Sequence, residues 1–509
     1  MVRFPQELVS NIVDYLIDDD SSQLISYATI SREWQYAVER INLNRLKFES
    51  TKLSKFANLF RPSQSHRRTL VKVVYYCIVL PAYNDEACGK YENENEKEAN
   101  SQVFSEALYA LFKVLKALDD EKVRSGGEMV LILEPYSSTD THRRPKNSNR
   151  KKDLGIKRYQ ASFLQIKNPE RLPLLSNIIT FYSQEDYHTR NVEPASAIAI
   201  ASKLRNLKEC YVEFSDREFL SAALRRTNRY NLAQALSAYP QSVDDIRIKL
   251  HCKNPEDEGS APPNLLPSPS PSSSSPTDPL NLALHDFIQK ANVGKIVLED
   301  HLVTPELFWP PSNTTAISDS SSFWQNLREI QVHMQVSTPD GGWYFMNDPS
   351  IASYAEFTGV EMDIDDSSED AEAEWDETSS SSELDYSLTG NDTEKNTFRS
   401  IPDPERMNPL LITMARAAHH APVLERMWLK VNNESLRPSY LEEDVDISRS
   451  FEVFYVAKGA VDHNEEAPDD EKARLIWQVG DWRPDQEVER HWSNALSPEG
   501  AMIYNDPNY

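Results

Sequence analysis

From residue 51 onward one pattern repeats: a segment with apolar residues at helical spacing, then a short run that reads as a strand. Residues 104–118 are helical in pattern and precede Met129–Leu133; 195–205 precede Cys210–Phe214; 218–238 precede Asp245–Leu250. Residues 280–291 precede Lys295–Glu299, a short turn at Phe323–Arg328 precedes Glu329–Val336, and 409–419 precede Arg426–Val431. With Val212, Arg247, Val297 and Gln331 as strand centres, the intervals are 35, 50 and 34 residues. A helix-plus-strand unit of that size cannot bury its apolar face alone, whereas stacked neighbours can. The pattern therefore predicts an α/β fold built from stacked units. The fold expected is a solenoid of such units; an ordinary α/β domain with mixed connections is the alternative.

This solenoid resembles the leucine-rich-repeat architecture, in an irregular form. Leucine-rich repeats run about 20–29 residues around an L-x-x-L-x-L core; the units here are longer and degenerate. Near the C-terminal end, Phe451–Val456 and Arg474–Val479 are predicted to pair as antiparallel strands across an acidic loop, His463–Glu471. Trp477, Trp482 and Trp492 read as packing that closes the stack, with an aromatic ligand cage as the alternative.

Two inserts interrupt the region from 51 to 509. Residues 254–279 are rich in Pro and Ser and read as a linker. The second, placed at 340–398, has an acidic centre: residues 356–395 hold 15 Asp and Glu against one Lys, a net −14 out of the chain's −26. Like-charge repulsion with few apolar groups keeps such a stretch extended and disordered.

Charge and composition narrow the function. With 80 acidic residues against 54 basic ones, the chain is a poor general partner for nucleic acid, whose phosphates need a positive surface. Only 13 glycines among 509 residues leave little material for Gly-rich phosphate cradles. No run of about 18 apolar residues exists, so no membrane span is expected, and the first residues lack the apolar core of a secretory signal. Cys77, Cys88, Cys210 and Cys252 fit neither a zinc site nor a disulfide framework. They read as reduced thiols in a cytoplasmic or nuclear protein.

The first 50 residues form a separate block. Leu8, Ile12 and Leu16 recur every four residues with Val9 and Val13 beside them, which marks one helix. Leu24, Tyr27 and Ala28 mark a short second helix. Ser31 is a plausible N-cap for a third, on which Trp34, Ala37, Val38 and Ile41 fall at helical spacing. Three short helices bury too little surface to be stable alone, and apolar residues on more than one face call for a partner.

This block resembles the F-box. The matching residues are Phe4-Pro5-Gln6-Glu7-Leu8, then Ile12, then Tyr15-Leu16, then Ala28-Thr29-Ile30-Ser31-Arg32-Glu33-Trp34. They follow the family's Leu-Pro-x-Glu-Ile/Leu opening and its later Val-Ser-x-x-Trp element. Phe4 and Ile30 replace the usual Leu and Val and keep an apolar group. The Ser-Arg-Glu-Trp wording and the N-terminal placement look most like F-box proteins of filamentous fungi. The resemblance covers about 40 of 509 residues. It implies a docking surface for the small Skp adaptor of cullin-based ubiquitin ligases, made by Phe4, Pro5, Leu8, Ile12 and Leu16, with Trp34 inside the block.

The basic clusters Arg143-Arg144-Pro145-Lys146 and Arg150-Lys151-Lys152 read either as a bipartite nuclear signal or as a solvated loop. Ser367, Ser368 and Ser379–Ser382 beside acidic residues suit an acid-directed kinase, although plain disorder explains them as well. No H-E-x-x-H, G-x-S-x-G or P-loop motif occurs, and the adjacent His419 and His420 point about 100° apart on a helix, too far to share a metal. The expectation is therefore no intrinsic enzyme activity: no catalytic residue, no metal and no cofactor. The function expected is that of an F-box substrate adaptor. It brings a target protein, held on a concave strand face, to the Skp and cullin core, with no nucleic-acid or membrane partner. The alternative is an interaction scaffold whose F-box-like block has no ligase role, and a site visible only in three dimensions remains a third reading.

Overall fold

β-Strands and helices alternate along most of the chain in the computed structural model, which describes residues 4–16, 24–60, 62–84, 87, 90–120, 128–140, 158–159, 161–183, 190–216, 220–252, 255, 258–267, 277–311, 323–348, 399–431, 451–460, 472–496 and 498–504. The fold is mixed α/β, with mostly parallel strands. The chain divides into two compact units. The first takes Met1–Phe214, Ala235–Arg247 and Ala291–Val293; the second takes Ser215–Gln234, Ile248–Lys290 and Gly294–Tyr509.

The first unit opens with three helices, α1 (Gln6–Leu16), α2 (Leu24–Tyr27) and α3 (Arg32–Asn42). There follow β1 (Arg45–Glu49), α4 (Leu53–Asn58), β2 (Val73–Leu80), α5 (Glu94–Asp120), β3 (Met129–Ser137), β4 (Ile178–Ser183), α6 (Pro194–Ala201) and β5 (Glu209–Ser215). β1 to β5 pair in chain order and every pair is parallel. Parallel neighbours need a crossover to bring the chain back to the starting end. α5 makes the crossover from β2 to β3, and its Phe104, Leu108, Leu111, Phe112 and Leu115 form one buried stripe. Tyr76 of β2 points to that side, its hydroxyl donating to the Ala107 carbonyl at 3.0 Å. Val74, Leu131, Leu133, Phe181 and Val212 are buried, whereas Tyr75, Ile132, Tyr182 and Tyr211 alternate with them and are only half-buried. One sheet face is thus covered and the other left open.

β6 (Asp245–His251) is divided between the units. The second unit contains most of α7 (Ala222–Leu236), then α8 (Pro279–Lys290), β7 (Lys295–His301), β8 (Glu329–Met334), β9 (Phe345–Asn347), β10 (Arg399–Pro402), α9 (Pro404–His420) and β11 (Arg426–Val431). β12 (Glu452–Val456), β13 (Arg474–Gln478), α10 (Gln486–Leu496) and β14 (Ala501–Tyr504) complete it. β7, β8 and β11 are parallel neighbours, β12 runs antiparallel to both β11 and β13, and β13 and β14 are parallel again. Trp477 and Trp492 are fully buried, with the Trp477 ring 6.4 Å from that of Trp482 and the Trp492 ring 6.0 Å from that of Tyr455.

Three boundaries read from the sequence need correction. The helical block placed at 1–50 stops at Asn42, because Leu46 and Phe48 alternate with Arg45, Lys47 and Glu49 and the backbone of Arg45–Glu49 pairs with β2. The acidic insert placed at 340–398 starts later. Trp343, Tyr344 and Phe345 are buried, the Tyr344 hydroxyl donates to the Val303 carbonyl at 3.0 Å, and β9 pairs with β10. Within the linker placed at 254–279, residues 258–267 and 277–279 are packed into the fold. Leu265 packs with Cys252 and Leu302, its N–H donates to the Pro339 carbonyl at 2.7 Å, and Asp278 is buried. The acidic centre 356–395, the basic clusters within 143–152 and the loop His463–Glu471 lie outside the described residues. Among the described residues no helix is long and apolar enough to cross a membrane.

Candidate functional site

The site begins with the geometry of α1. Its first turn rests on Pro5, whose carbonyl accepts from the N–H groups of Leu8 and Val9 at 3.1 and 3.2 Å. Val9 and Val13, four residues apart, face inward and are 1% and 0% exposed. They pack with Leu24, Ala37 and Val38 into a small core of the block's own, bordered by Leu16, Tyr27, Ala28, Trp34 and Ile41. Ser31 caps α3, its hydroxyl oxygen accepting from the Trp34 N–H at 3.4 Å, and the Trp34 ring lies 5.7 Å from that of Tyr27. The Gln6 amide donates to the Glu33 carbonyl at 3.1 Å, and Arg40 pairs with Asp14, so α1 and α3 are joined by polar contacts as well.

A helix of eleven residues with one inward stripe needs no apolar residue elsewhere, yet α1 has a second row. Phe4, Leu8 and Ile12 recur every four residues and are 57%, 50% and 42% exposed; Tyr15 extends the row and is exposed too. Of the residues expected to meet an adaptor, the structure brings Phe4, Pro5, Leu8 and Ile12 to the exposed side. Leu16 differs: it is partly buried and packs against the inner core. Tyr15, Ile25 and Ile30 are exposed apolar side chains that the expected set omitted. The signal for Tyr15 was present as its place seven residues after Leu8, two helical turns on.

A second constellation lies in the second unit. Arg225 Nε donates to Asp216 at 2.9 Å, Arg229 Nη1 lies 3.5 Å from the same carboxylate, and Arg229 Nη2 donates to Asp278 at 2.8 Å. All four are buried. Two acids against two guanidinium groups leave no net charge, which is the condition for keeping them out of water. Asp278 also accepts from the Asn281 amide, whose oxygen accepts from the Nε2–H of buried His301 at 3.0 Å. Arg229 and Asp278 line a cavity of about 220 Å³ with Arg226, Tyr230, Leu265 and Leu280. Ligand pockets commonly measure about 300–1,000 Å³.

Cys77, Cys210 and Cys252 are buried, and burial pushes the Cys210 thiol up to about 12. Among the described residues no group of three or more His, Cys, Asp or Glu is placed to hold a metal ion. His419 and His420 each direct Nδ1 to a backbone carbonyl, of Asn494 at 3.1 Å and of Arg416 at 2.9 Å.

No protein-family model matches the chain, and no curated protein matches it. A solved structure described as the CcCel6A catalytic domain complexed with p-nitrophenyl beta-D-cellotrioside matches at 12% identity and a TM-score of 0.21, over 56% of this chain and 70% of that one. With an enzyme's catalytic domain among the matches, the expectation of no enzyme activity is withdrawn. A likeness of this size carries no argument for an activity.

Proposed function

We propose that this chain is a substrate-recognition adaptor of a Skp–cullin–F-box ubiquitin ligase, which brings a target protein to the ligase by protein–protein binding. The observation that carries the reading is the double character of α1. Val9 and Val13 close a core inside the block, while Phe4, Leu8 and Ile12 remain exposed on a second row. Burial of about three such side chains against a partner helix surface is worth several kcal/mol, at about 25 cal/mol per Å². The block is then the ligase-facing part and the remaining α/β region the target-facing part. Chain-order pairing of parallel strands, β1 to β5 in one unit and β7, β8 and β11 in the other, supports a repeat-built region of the leucine-rich-repeat type. Holding a target beside the ligase core raises its effective concentration there.

The test is capture of purified Skp adaptor by the full chain and by Leu8→Asp and Ile12→Asp variants. The wild type is expected to retain the adaptor and both variants to lose it, with melting temperatures unchanged because neither side chain is in the core. Equal capture by the three proteins, or none by the wild type, overturns the reading.

A further inference from the structure

The open sheet face of the first unit carries a row that crosses five strands in register. Lys47 of β1 is opposite Tyr75 of β2, Tyr75 opposite Ile132 of β3, Ile132 opposite Tyr182 of β4, and Tyr182 opposite Tyr211 of β5. The four apolar and aromatic members are half-buried, whereas their chain neighbours Tyr76, Leu131, Phe181 and Val212 are fully buried. The rings of Tyr182 and Tyr211 stack at 4.6 Å with 5° between their planes. Tyr75 and Tyr182 flank the smaller Ile132, two strand spacings or about 9–10 Å apart. The row therefore contains a slot with a tyrosine on each side and an isoleucine floor.

The charges carried by the slot's own strands have one sign, with a cation on each flanking strand. On the open face from β2 to β5 the charged residues are Glu134, Glu209 and Glu213, all acidic. The nearest cations on this face belong to the flanking strands, Lys47 of β1 and Arg247 of β6. Lys47 already shows what the row attracts: its ammonium sits 5.8 Å over the Tyr75 ring and pairs with Glu134 at 2.6 Å.

We infer that this slot binds an arginine side chain from a basic segment of a partner protein, held between Tyr75 and Tyr182 over Ile132 with acidic neighbours on the same face. Arginine suits it better than lysine, because a planar guanidinium stacks on aromatic faces and gives up its hydration more readily. An acidic partner, or the phosphates of a nucleic acid, meets like charge here. Such a segment is the target class of the adaptor proposed above, and in that sense the inference rests on that reading; the slot's chemistry does not depend on it.

The experiment measures fluorescence anisotropy of a fluorescein-labelled peptide of alternating arginine and glycine with the full chain, in about 0.15 M salt to screen general attraction to an acidic protein. The wild type is expected to bind. Y75L/Y182L, which leaves the net charge unchanged, is expected to bind about tenfold or more weakly. Y75F/Y182F keeps the ring faces and is expected to stay within about twofold of wild type. Ile132→Arg fills the slot with the protein's own guanidinium and is expected to block the peptide. No binding by the wild type, or binding untouched by Y75L/Y182L and by Ile132→Arg, overturns the inference. Adaptor capture is measured on the same samples. Loss of peptide binding with capture intact is the expected result for Y75L/Y182L, and a wild type that binds peptide but captures no adaptor overturns the ligase reading alone.

Discussion

Arg67 grips Glu39 with two hydrogen bonds, Nε to one carboxylate oxygen at 3.0 Å and Nη2 to the other at 2.5 Å. Glu39 lies on α3 and Arg67 on the 3-10 segment Pro62–Leu70 that leads into β2, so this pair fastens the N-terminal helices to the sheet of the first unit. Burial alone would raise the Glu39 carboxyl, but hydrogen bonds from Arg67, Gln35 and His66 outweigh it and hold the group below its ordinary range. A lowered carboxyl stabilises the fold above the ordinary carboxylate pKa, and that contribution is lost as pH falls through the lowered one. Glu39→Gln should cost roughly 1–2 kcal/mol at neutral pH, since both side chains are mostly buried. Hydrogen exchange should quicken in α3 and the 62–70 segment first. Exchange unchanged in both would show that the pair is not what fastens the block.

The inner and outer rows of α1 predict opposite responses to truncation. Val13→Ala removes two carbons from a packed site and should destabilise the block by roughly 2 kcal/mol. Leu8→Ala removes three carbons from an exposed site and should change stability by less than about 0.5 kcal/mol. Thermal melts followed by helical circular dichroism separate the two. A larger loss for Leu8→Ala would place Leu8 in the core and remove it from the docking face.

Glu92 and Arg190 form a two-point ion pair at 2.9 and 2.6 Å, and both are about 1% exposed. Asn100 also donates to Glu92, Ser162 hydrogen-bonds with it, and the Arg190 guanidinium lies 3.7 Å from the Tyr159 ring centre. Removing one partner leaves the other charge buried and unpaired, which costs about 3–5 kcal/mol. Glu92→Ala should therefore lower the urea midpoint sharply. The double variant Glu92→Ala with Arg190→Leu should recover part of the loss. No recovery would mean that Glu92 acts through its contacts to Asn100 and Ser162 instead.

That pair also marks the limit of what the sequence makes legible. Ninety-eight positions separate Glu92 from Arg190, and no local pattern links them. The same holds for the tyrosine slot, whose members come from β2, β3 and β4 and meet only through register. Local periodicity, in contrast, is visible in one segment at a time. It located α1 and α3, the helix-then-strand alternation behind the α/β class, and the antiparallel pairing of Phe451–Val456 with Arg474–Val479, seen as β12 with β13. β1 reads as part of the helical block because its five residues alternate too briefly to stand out beside α3. Trp343–Phe345, an aromatic run next to a charged stretch, reads as part of the acidic insert until its partner strand is known.

His301 gives the last prediction, a pH dependence. It is fully buried in the second unit, and its Nε2–H donates to the Asn281 amide oxygen at 3.0 Å. Burial, helped by the nearby Arg229 cation, lowers the imidazole to about 3. In the unfolded chain it titrates near 6.5. Between those two values the unfolded state binds a proton that the folded state refuses, so stability is complete above 6.5 and declines as pH falls. The slope from this one group approaches about 1.4 kcal/mol per pH unit. His301→Gln keeps a neutral donor for Asn281 and has nothing to titrate. Between pH 6.0 and 4.5 the variant should therefore lose about 2 kcal/mol less than the wild type in urea unfolding, even if it starts lower. Parallel pH dependences for the two proteins would mean that His301 accepts its proton in the folded state, and that the Asp278–Asn281–His301 chain rearranges to hold it.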